Sequence, residues 1–136
     1  MWIYCTGCEE LVDARLTGGR EVYPRRPDLF RLAFWKCDTC GALVGCHHKN
    51  EKRNRPLGYL ATPEIRRWRM KIHQLLDPLW QNGLVKRKTL YKKISRALGH
   101  EYHNAQLYDA EEAQFVYDIV KGIKDTLDPP RSPWNR

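Results

Sequence analysis

The spacing of apolar residues changes about one third of the way along the chain. In the first 48 residues, apolar positions come in short runs such as Trp2-Ile3-Tyr4 and Ala42-Leu43-Val44, separated by segments rich in glycine, proline and charge. Short apolar runs bounded by turn residues are typical of strands. Thr17-Gly18-Gly19 predicts the turn of a β-hairpin between Leu11-Val12 and Val22-Tyr23. The N-terminal third is therefore predicted to be β structure.

From residue 62 onward the apolar residues recur with a helical period, which predicts three helices. The first begins after Thr62, whose hydroxyl suits an N-cap, and Pro78 predicts a kink or restart near Asp77. The second runs from about Arg87 to Leu98, and the third begins at Asp109 with capping-box spacing. The predicted core positions are Ile65, Trp68, Ile72, Leu75 and Leu76, then Leu90, Tyr91, Ile94, Ala97 and Leu98, then Phe115, Val116, Ile119, Val120 and Ile123.

Four of the five cysteines, Cys5, Cys8, Cys37 and Cys40, form two C-x-x-C pairs. Each pair can present two thiolates from one tight turn, and two such turns close a tetrahedral four-thiolate zinc site. The pairs are farther apart than is usual for this pattern, but a hairpin and a proline-rich loop can occupy the extra length. Gly41 follows the second pair, where the turn needs a residue that tolerates positive φ. We predict that these four cysteines bind one structural Zn²⁺.

Other cysteine chemistry stays open at this point. Cys46, His47 and His48 are metal-ligand types that could replace a cysteine or mark a second metal, and a C-x-x-C pair can also be a redox dithiol. A structural metal has the advantage of explaining how a segment with few aliphatic residues folds, because metal binding contributes folding free energy directly.

These elements predict an α+β chain in which an N-terminal β zinc ribbon is followed by a small three-helix bundle. The predicted boundaries are residues 1–48 for the zinc ribbon, 49–62 for a basic linker, 63–127 for the helical bundle and 128–136 for a disordered tail. No apolar run approaches the roughly 18 residues of a membrane-spanning helix. We therefore expect a cytoplasmic protein that does not act at a membrane.

The net charge of +8 is concentrated in the middle of the chain. Residues 1–48 are neutral, residues 49–100 carry +11 and residues 101–136 carry −3. A basic segment of this kind is expected where a protein contacts a polyanion, although it can also be a solvated face. The first two helices place basic residues opposite their apolar sides, and we predict that these contact phosphates of DNA or RNA: Arg66, Arg67, Lys71, Lys88, Lys92, Lys93 and Arg96.

The linear order of motifs also resembles a known family. The first C-x-x-C pair is followed by Cys37-Asp38-Thr39-Cys40-Gly41-Ala42, by Val44-Gly45-Cys46-His47, by Pro56-Leu57-Gly58-Tyr59-Leu60-Ala61 and by Asp77-Pro78-Leu79-Trp80. This order resembles a zinc-finger-containing family of phage and bacterial proteins over roughly residues 5–120. The resemblance implies a small phage-type or prophage-type zinc protein in a bacterial or host cytoplasm, and it implies no particular reaction. The basic residues from Lys49 to Arg55 are not part of the pattern.

Two other functions compete with nucleic-acid binding. A small phage-type protein of this charge could be an inhibitor or modulator that binds a host nucleic-acid enzyme or ribonucleoprotein. A metal-dependent nuclease could use His47, His48, His73 and Asp77, because His73 and Asp77 share a helix face if the kink is mild. The basic half has few carboxylates and no recognised phosphate-binding or nucleophile motif, so the sequence favours a non-enzymatic protein.

Overall fold

The computed structural model describes residues 1–47 and 54–127. The chain is mixed α+β, with antiparallel strands in its N-terminal part and long helices after residue 62, which confirms the predicted class. The strands are β1 (Trp2–Cys5), β2 (Glu10–Asp13), β3 (Arg15–Gly18), β4 (Ala33–Lys36) and β5 (Leu43–Gly45). The helices are α1 (Gly19–Val22), α2 (Pro63–Gln81), α3 (Arg87–Leu98) and α4 (Ala110–Leu127).

The described residues contain four α-helices where the sequence predicted three, because the single-turn α1 lies among the strands. Two small antiparallel sheets form the β part, one with the order β1-β2 and the other with the order β3-β4-β5. Residues 48–53 of the predicted ribbon and linker, and the whole predicted tail at 128–136, lie outside the described residues. No helix of the described chain is long and apolar enough to cross a membrane.

The hairpin predicted around Thr17-Gly18-Gly19 is wrong. Thr17 and Gly18 lie inside β3, whose partner is β4, and α1 begins at Gly19. A Cβ atom on Gly19 would collide with the backbone carbonyl of Leu29. Glycine is therefore needed at this position because two backbone segments approach closely, not because the chain turns there.

The predicted helix ends are confirmed by their capping groups. The Thr62 hydroxyl accepts a hydrogen bond from the Ile65 N–H at 3.3 Å, and the Asp109 carboxylate accepts one from the Glu112 N–H at 2.6 Å. Gly99 ends α3 with a left-handed φ of 87°. The restart predicted near Asp77 does not occur, because α2 continues through Pro78 to Gln81 although proline cannot donate the backbone bond to the carbonyl of Gln74.

The three long helices share one apolar core. Its buried residues are Ile72, Leu76, Leu79, Leu90, Ile94, Tyr102, Leu107, Ala113, Val116 and Val120. Phe115, which the sequence assigned to this core, is 49% exposed. The buried stripe of α4 instead follows Ala113, Val116 and Val120, and Phe115 is offset from that stripe by about one residue's rotation of roughly 100°.

The β part has a separate small core, which includes Ile3, Cys5, Cys37, Val44 and Leu60. Leu60 comes from the segment before α2. Its backbone donates to the Tyr4 carbonyl and accepts from the Thr6 N–H, both at 2.9 Å. The described part of the segment predicted as a linker is therefore paired with the N-terminal strands.

Arg69 of α2 connects this segment to the helical core. Its guanidinium donates to the Tyr59 carbonyl at 3.3 Å and to the Leu107 carbonyl at 2.8 Å. Burial without a carboxylate partner lowers the pKa of Arg69 to about 10. This side chain holds the loop before α4 against the segment that follows the β part.

Two glycine substitutions test this packing. Gly58→Ala should lower the free energy of unfolding by about 1–3 kcal/mol, because a Cβ there would collide with the Ala105 carbonyl. Gly122→Ala is the matched control: it lies in α4 with open space around it, and should raise stability by about 0.5–1 kcal/mol. Urea unfolding measures both, and equal effects would contradict the close approach at Gly58.

Candidate metal centre and basic cleft

The two C-x-x-C pairs occupy turns of the same shape. In the turn after β1, the Glu9 N–H donates to the Cys5 carbonyl at 2.8 Å, and in the turn after β4, the Gly41 N–H donates to the Cys37 carbonyl at 2.7 Å. The residue after each second cysteine has positive φ, 57° at Glu9 and 81° at Gly41. The sequence indicated this conformation only at Gly41, because glutamate gives no signal for it.

The turns bring the four thiols of Cys5, Cys8, Cys37 and Cys40 together. All four Sγ atoms lie within 4.8 Å of one another, with Cys5 3.3 Å from Cys40 and Cys8 3.7 Å from Cys37. These distances are too long for a disulfide, which needs about 2.05 Å. A tetrahedral zinc with Zn–S bonds of about 2.3 Å would place its thiolates about 3.8 Å apart. The donor set and its spacing therefore fit a zinc ion.

The surroundings of the thiols differ between the two turns. Burial raises the pKa of Cys37, but the N–H groups of Cys40 and Thr39 outweigh it and bring that pKa to about 7. The hydrogen bond with Cys37, together with burial, raises the pKa of Cys8 to about 12. A metal ion would reverse the second effect, because a bound cation favours the thiolate.

Gly7, between the first two cysteines, is a part of this site that the sequence did not single out. A Cβ atom at Gly7 would lie 2.7 Å from the Cys40 Sγ and 2.9 Å from the Thr62 methyl group. The first turn therefore packs directly on both the second turn and the start of α2. The Thr6 hydroxyl strengthens this junction by accepting a hydrogen bond from the Thr62 N–H at 3.1 Å.

The remaining candidate ligands lie apart from the four thiols. Within residues 1–47 and 54–127, one group of three or more His, Cys, Asp or Glu side chains is close enough to share a metal ion, and it consists of the four cysteines. Cys46 is buried and forms an isolated antiparallel β-bridge with Pro56. His47 lines a cleft described below. His48 lies outside the described residues.

A comparison with protein families agrees with the cysteine geometry. A family model described as a zinc-finger-containing domain matches residues 1–125. The chain belongs to this zinc-finger-containing family. The match extends through the four cysteines and the long helices, so the family domain includes both parts of the structure. Comparison with curated proteins and with solved structures gave no match.

The zinc-finger-containing domain also has a large open cleft, which we call the basic cleft. It has a volume of about 1210 Å³ and lies between α3, the loop after it, and the segments around His47 and Leu57. The exposed face of α3 contributes residues that recur with helical spacing: Arg87, Lys88, Tyr91, Lys92, Ser95 and Arg96. His73 of α2 and His103 also line it.

The structure brings together three of the seven predicted phosphate contacts. Lys88, Lys92 and Arg96 line the basic cleft, whereas Lys93 does not. Lys71 lines a different depression between α2 and α4, with its ammonium 5.1 Å from the Trp68 ring. Two predicted residues of α2 line neither surface: Arg66, which is partly buried, and Arg67, which is exposed.

Zinc content tests the metal centre. The purified protein should contain one zinc per chain, and Cys37→Ser or Cys40→Ser should lose it along with the N-terminal structure. Gly7→Ala should weaken zinc binding because its methyl group would press on the Cys40 sulfur. Cys46→Ser, outside the cluster, is the control and should keep one zinc. Elemental analysis that finds no zinc in the purified protein would contradict the site.

Chelation tests how far the metal supports the rest of the chain. The helical core contains none of the four cysteines, so removing the metal should unfold the β part and leave most of the helical signal. Circular dichroism would report the helices and amide chemical-shift dispersion would report the strands. Simultaneous loss of both signals would show that the two cores fold as one unit.

Proposed function

We propose that this zinc-finger-containing domain is a non-enzymatic nucleic-acid-binding protein, with a structural Zn²⁺ in an N-terminal zinc ribbon and a basic surface on its helices. The observation that carries the proposal is the row of cations that α3 presents to one cleft, Arg87, Lys88, Lys92 and Arg96. Lys and Arg side chains positioned along one surface are what binding to a phosphate backbone requires.

The cations of the basic cleft are available to an external anion. None of the four forms a salt bridge within the part of the chain that the structure describes. Of the described residues that line the cleft, Glu101 is the carboxylate, and its Oε1 lies 3.4 Å from the Nε2 of His103. Within residues 1–47 and 54–127, the cations of the cleft therefore keep a positive charge that no carboxylate neutralises through a salt bridge.

The metal would support this surface structurally. Four thiolates complete the tetrahedral coordination of zinc and leave no position for a substrate or water. Cys5, Cys8, Cys37 and Cys40 would hold the two turns together, and the Thr6 contact with Thr62 would fix the start of α2 relative to them.

The competing functions receive less support. His73 and Asp77 do meet, with the imidazole Nδ1 3.1 Å from the carboxylate oxygens, but a two-metal nuclease needs several carboxylates at its reaction centre. Among the described residues that line the cleft, Glu101 is the one carboxylate. A phage-type inhibitor of a host nucleic-acid enzyme could use the same positive charge to bind an acidic protein surface, and the experiment below distinguishes it.

Salt dependence tests the proposal. If about four phosphates are neutralised, the logarithm of duplex DNA affinity should fall with the logarithm of salt concentration with a slope on the order of −3.6. Changing Lys92 and Lys93 together to glutamate should flatten that slope while the helical signal stays intact. Fluorescence anisotropy measures both. An affinity that does not depend on salt concentration, or a double variant that binds DNA as the unmodified protein does, would contradict nucleic-acid binding and favour the protein inhibitor.

A further inference from the structure

The basic cleft combines two kinds of surface. Its cations lie along α3, and the partly buried ring of Tyr91 lies beside them, backed by the buried ring of Tyr102 with the two centroids 5.7 Å apart. Tyr91 was assigned to the core from the sequence, but it is only partly buried and lines the cleft. Sites for single-stranded nucleic acid combine cations along the path of the phosphate backbone with aromatic side chains on which bases stack.

Several contacts hold this surface in place before any ligand binds. The Arg87 guanidinium lies 4.5 Å from the Tyr91 ring centroid and 5.7 Å from that of Trp80. The Ser95 hydroxyl donates to the Tyr91 carbonyl at 2.8 Å and accepts from the Tyr102 N–H at 2.9 Å. A cation and a ring held in this way lose little conformational freedom on binding, which favours affinity.

A further group in the cleft is oriented by the protein. Asp77 contacts the Nδ1 of His73 and also accepts a hydrogen bond from the Trp80 indole at 3.2 Å. The other ring nitrogen of His73, Nε2, has no hydrogen bond within the described chain. Depending on the tautomer, this nitrogen can donate a hydrogen bond to, or accept one from, a sugar hydroxyl or a base edge.

The shape of the cleft favours a single strand over a duplex. The cleft is concave, and Leu57 and Ala105 line it together with residues of α3. Its volume of about 1210 Å³ exceeds the roughly 300–1,000 Å³ of ordinary ligand pockets and suits a short stretch of a longer chain. In a duplex the bases are stacked inside and cannot reach an aromatic ring that lines a cleft.

We infer that the basic cleft binds a single strand of DNA or RNA, with phosphates at Lys88, Lys92 and Arg96 and a base stacked against the pair formed by the Tyr91 ring and the Arg87 guanidinium over it. This inference rests on the proposed function and specifies the form of its ligand. It also divides the basic residues of α3 into two groups, because Lys92 lines the cleft and its neighbour Lys93 does not.

The first test compares three labelled ligands with the full-length zinc-loaded protein: single-stranded DNA, single-stranded RNA and duplex DNA, each about 12 nucleotides or base pairs long, within the usual range of site sizes. Fluorescence anisotropy should show at least one single strand bound roughly tenfold more tightly than the duplex. A preference between the two single strands would show whether the 2′-hydroxyl contributes. Equal or tighter binding of the duplex would overturn the inference.

The second test uses adjacent lysines as matched variants. Lys92→Gln should weaken single-strand binding roughly fivefold or more and make the salt slope shallower by about 0.7, the effect of losing one phosphate contact. Lys93→Gln removes the same charge one residue away and should leave both quantities unchanged. Equal losses would place the ligand on the outer face of α3, which overturns the inference but leaves the proposed function in place.

The third test addresses stacking. Tyr91→Phe keeps an aromatic ring and should retain single-strand affinity, whereas Tyr91→Leu should lower it by roughly tenfold. Tyr117→Leu, which changes an aromatic residue lining the other depression, is the control for nonspecific effects. Identical affinity of the two Tyr91 variants would overturn the stacking contact. Failure to bind any of the three ligands would overturn the proposed function as well.

Discussion

The convergence of four thiols is the constraint on which the rest of the β part depends. The buried residues around them are few and mostly small, including Ala14, Ala42 and Val44, and the strands are only three or four residues long. Burial of so little apolar surface cannot offset the conformational entropy of ordering this part of the chain. Coordination of a metal by both turns would supply the missing free energy and would fix the turns relative to each other.

The first of these turns also contacts the residue that caps α2. Thr6, inside the first turn, contacts Thr62, and Thr62 in turn caps α2 through the Ile65 N–H. Arg69, one turn farther along α2, extends the junction by binding the carbonyls of Tyr59 and Leu107. Two cores that are separate in composition are thus joined by a short series of polar contacts. Substitutions at that joint can alter the relative position of the two parts without unfolding either one.

The features that could be predicted from the sequence are those encoded locally. The cysteine spacing indicated the four-thiol cluster, and the capping residues gave the ends of the long helices. The strand pairing could not be obtained in this way, because β3 pairs with β4 across a segment that contains α1, and Gly19 owes its role to a distant carbonyl. Glu9 adopts positive φ because the turn around the thiols requires it, although its residue type does not favour that conformation.

The distribution of charge shows the same limit at the functional surface. Composition locates an excess of +11 between residues 49 and 100, but it cannot say which cations share a surface. Lys92 and Lys93 carry the same side chain and the same charge, yet a rotation of about 100° per residue separates them on α3. In the structure Lys92 lines the same cleft as Leu57 and Ala105, whereas Lys93 does not. His47, which follows β5, and Leu57, whose N–H donates to the Gly45 carbonyl of β5, also line the cleft, so its shape depends in part on the β part that the four-thiol turns hold together.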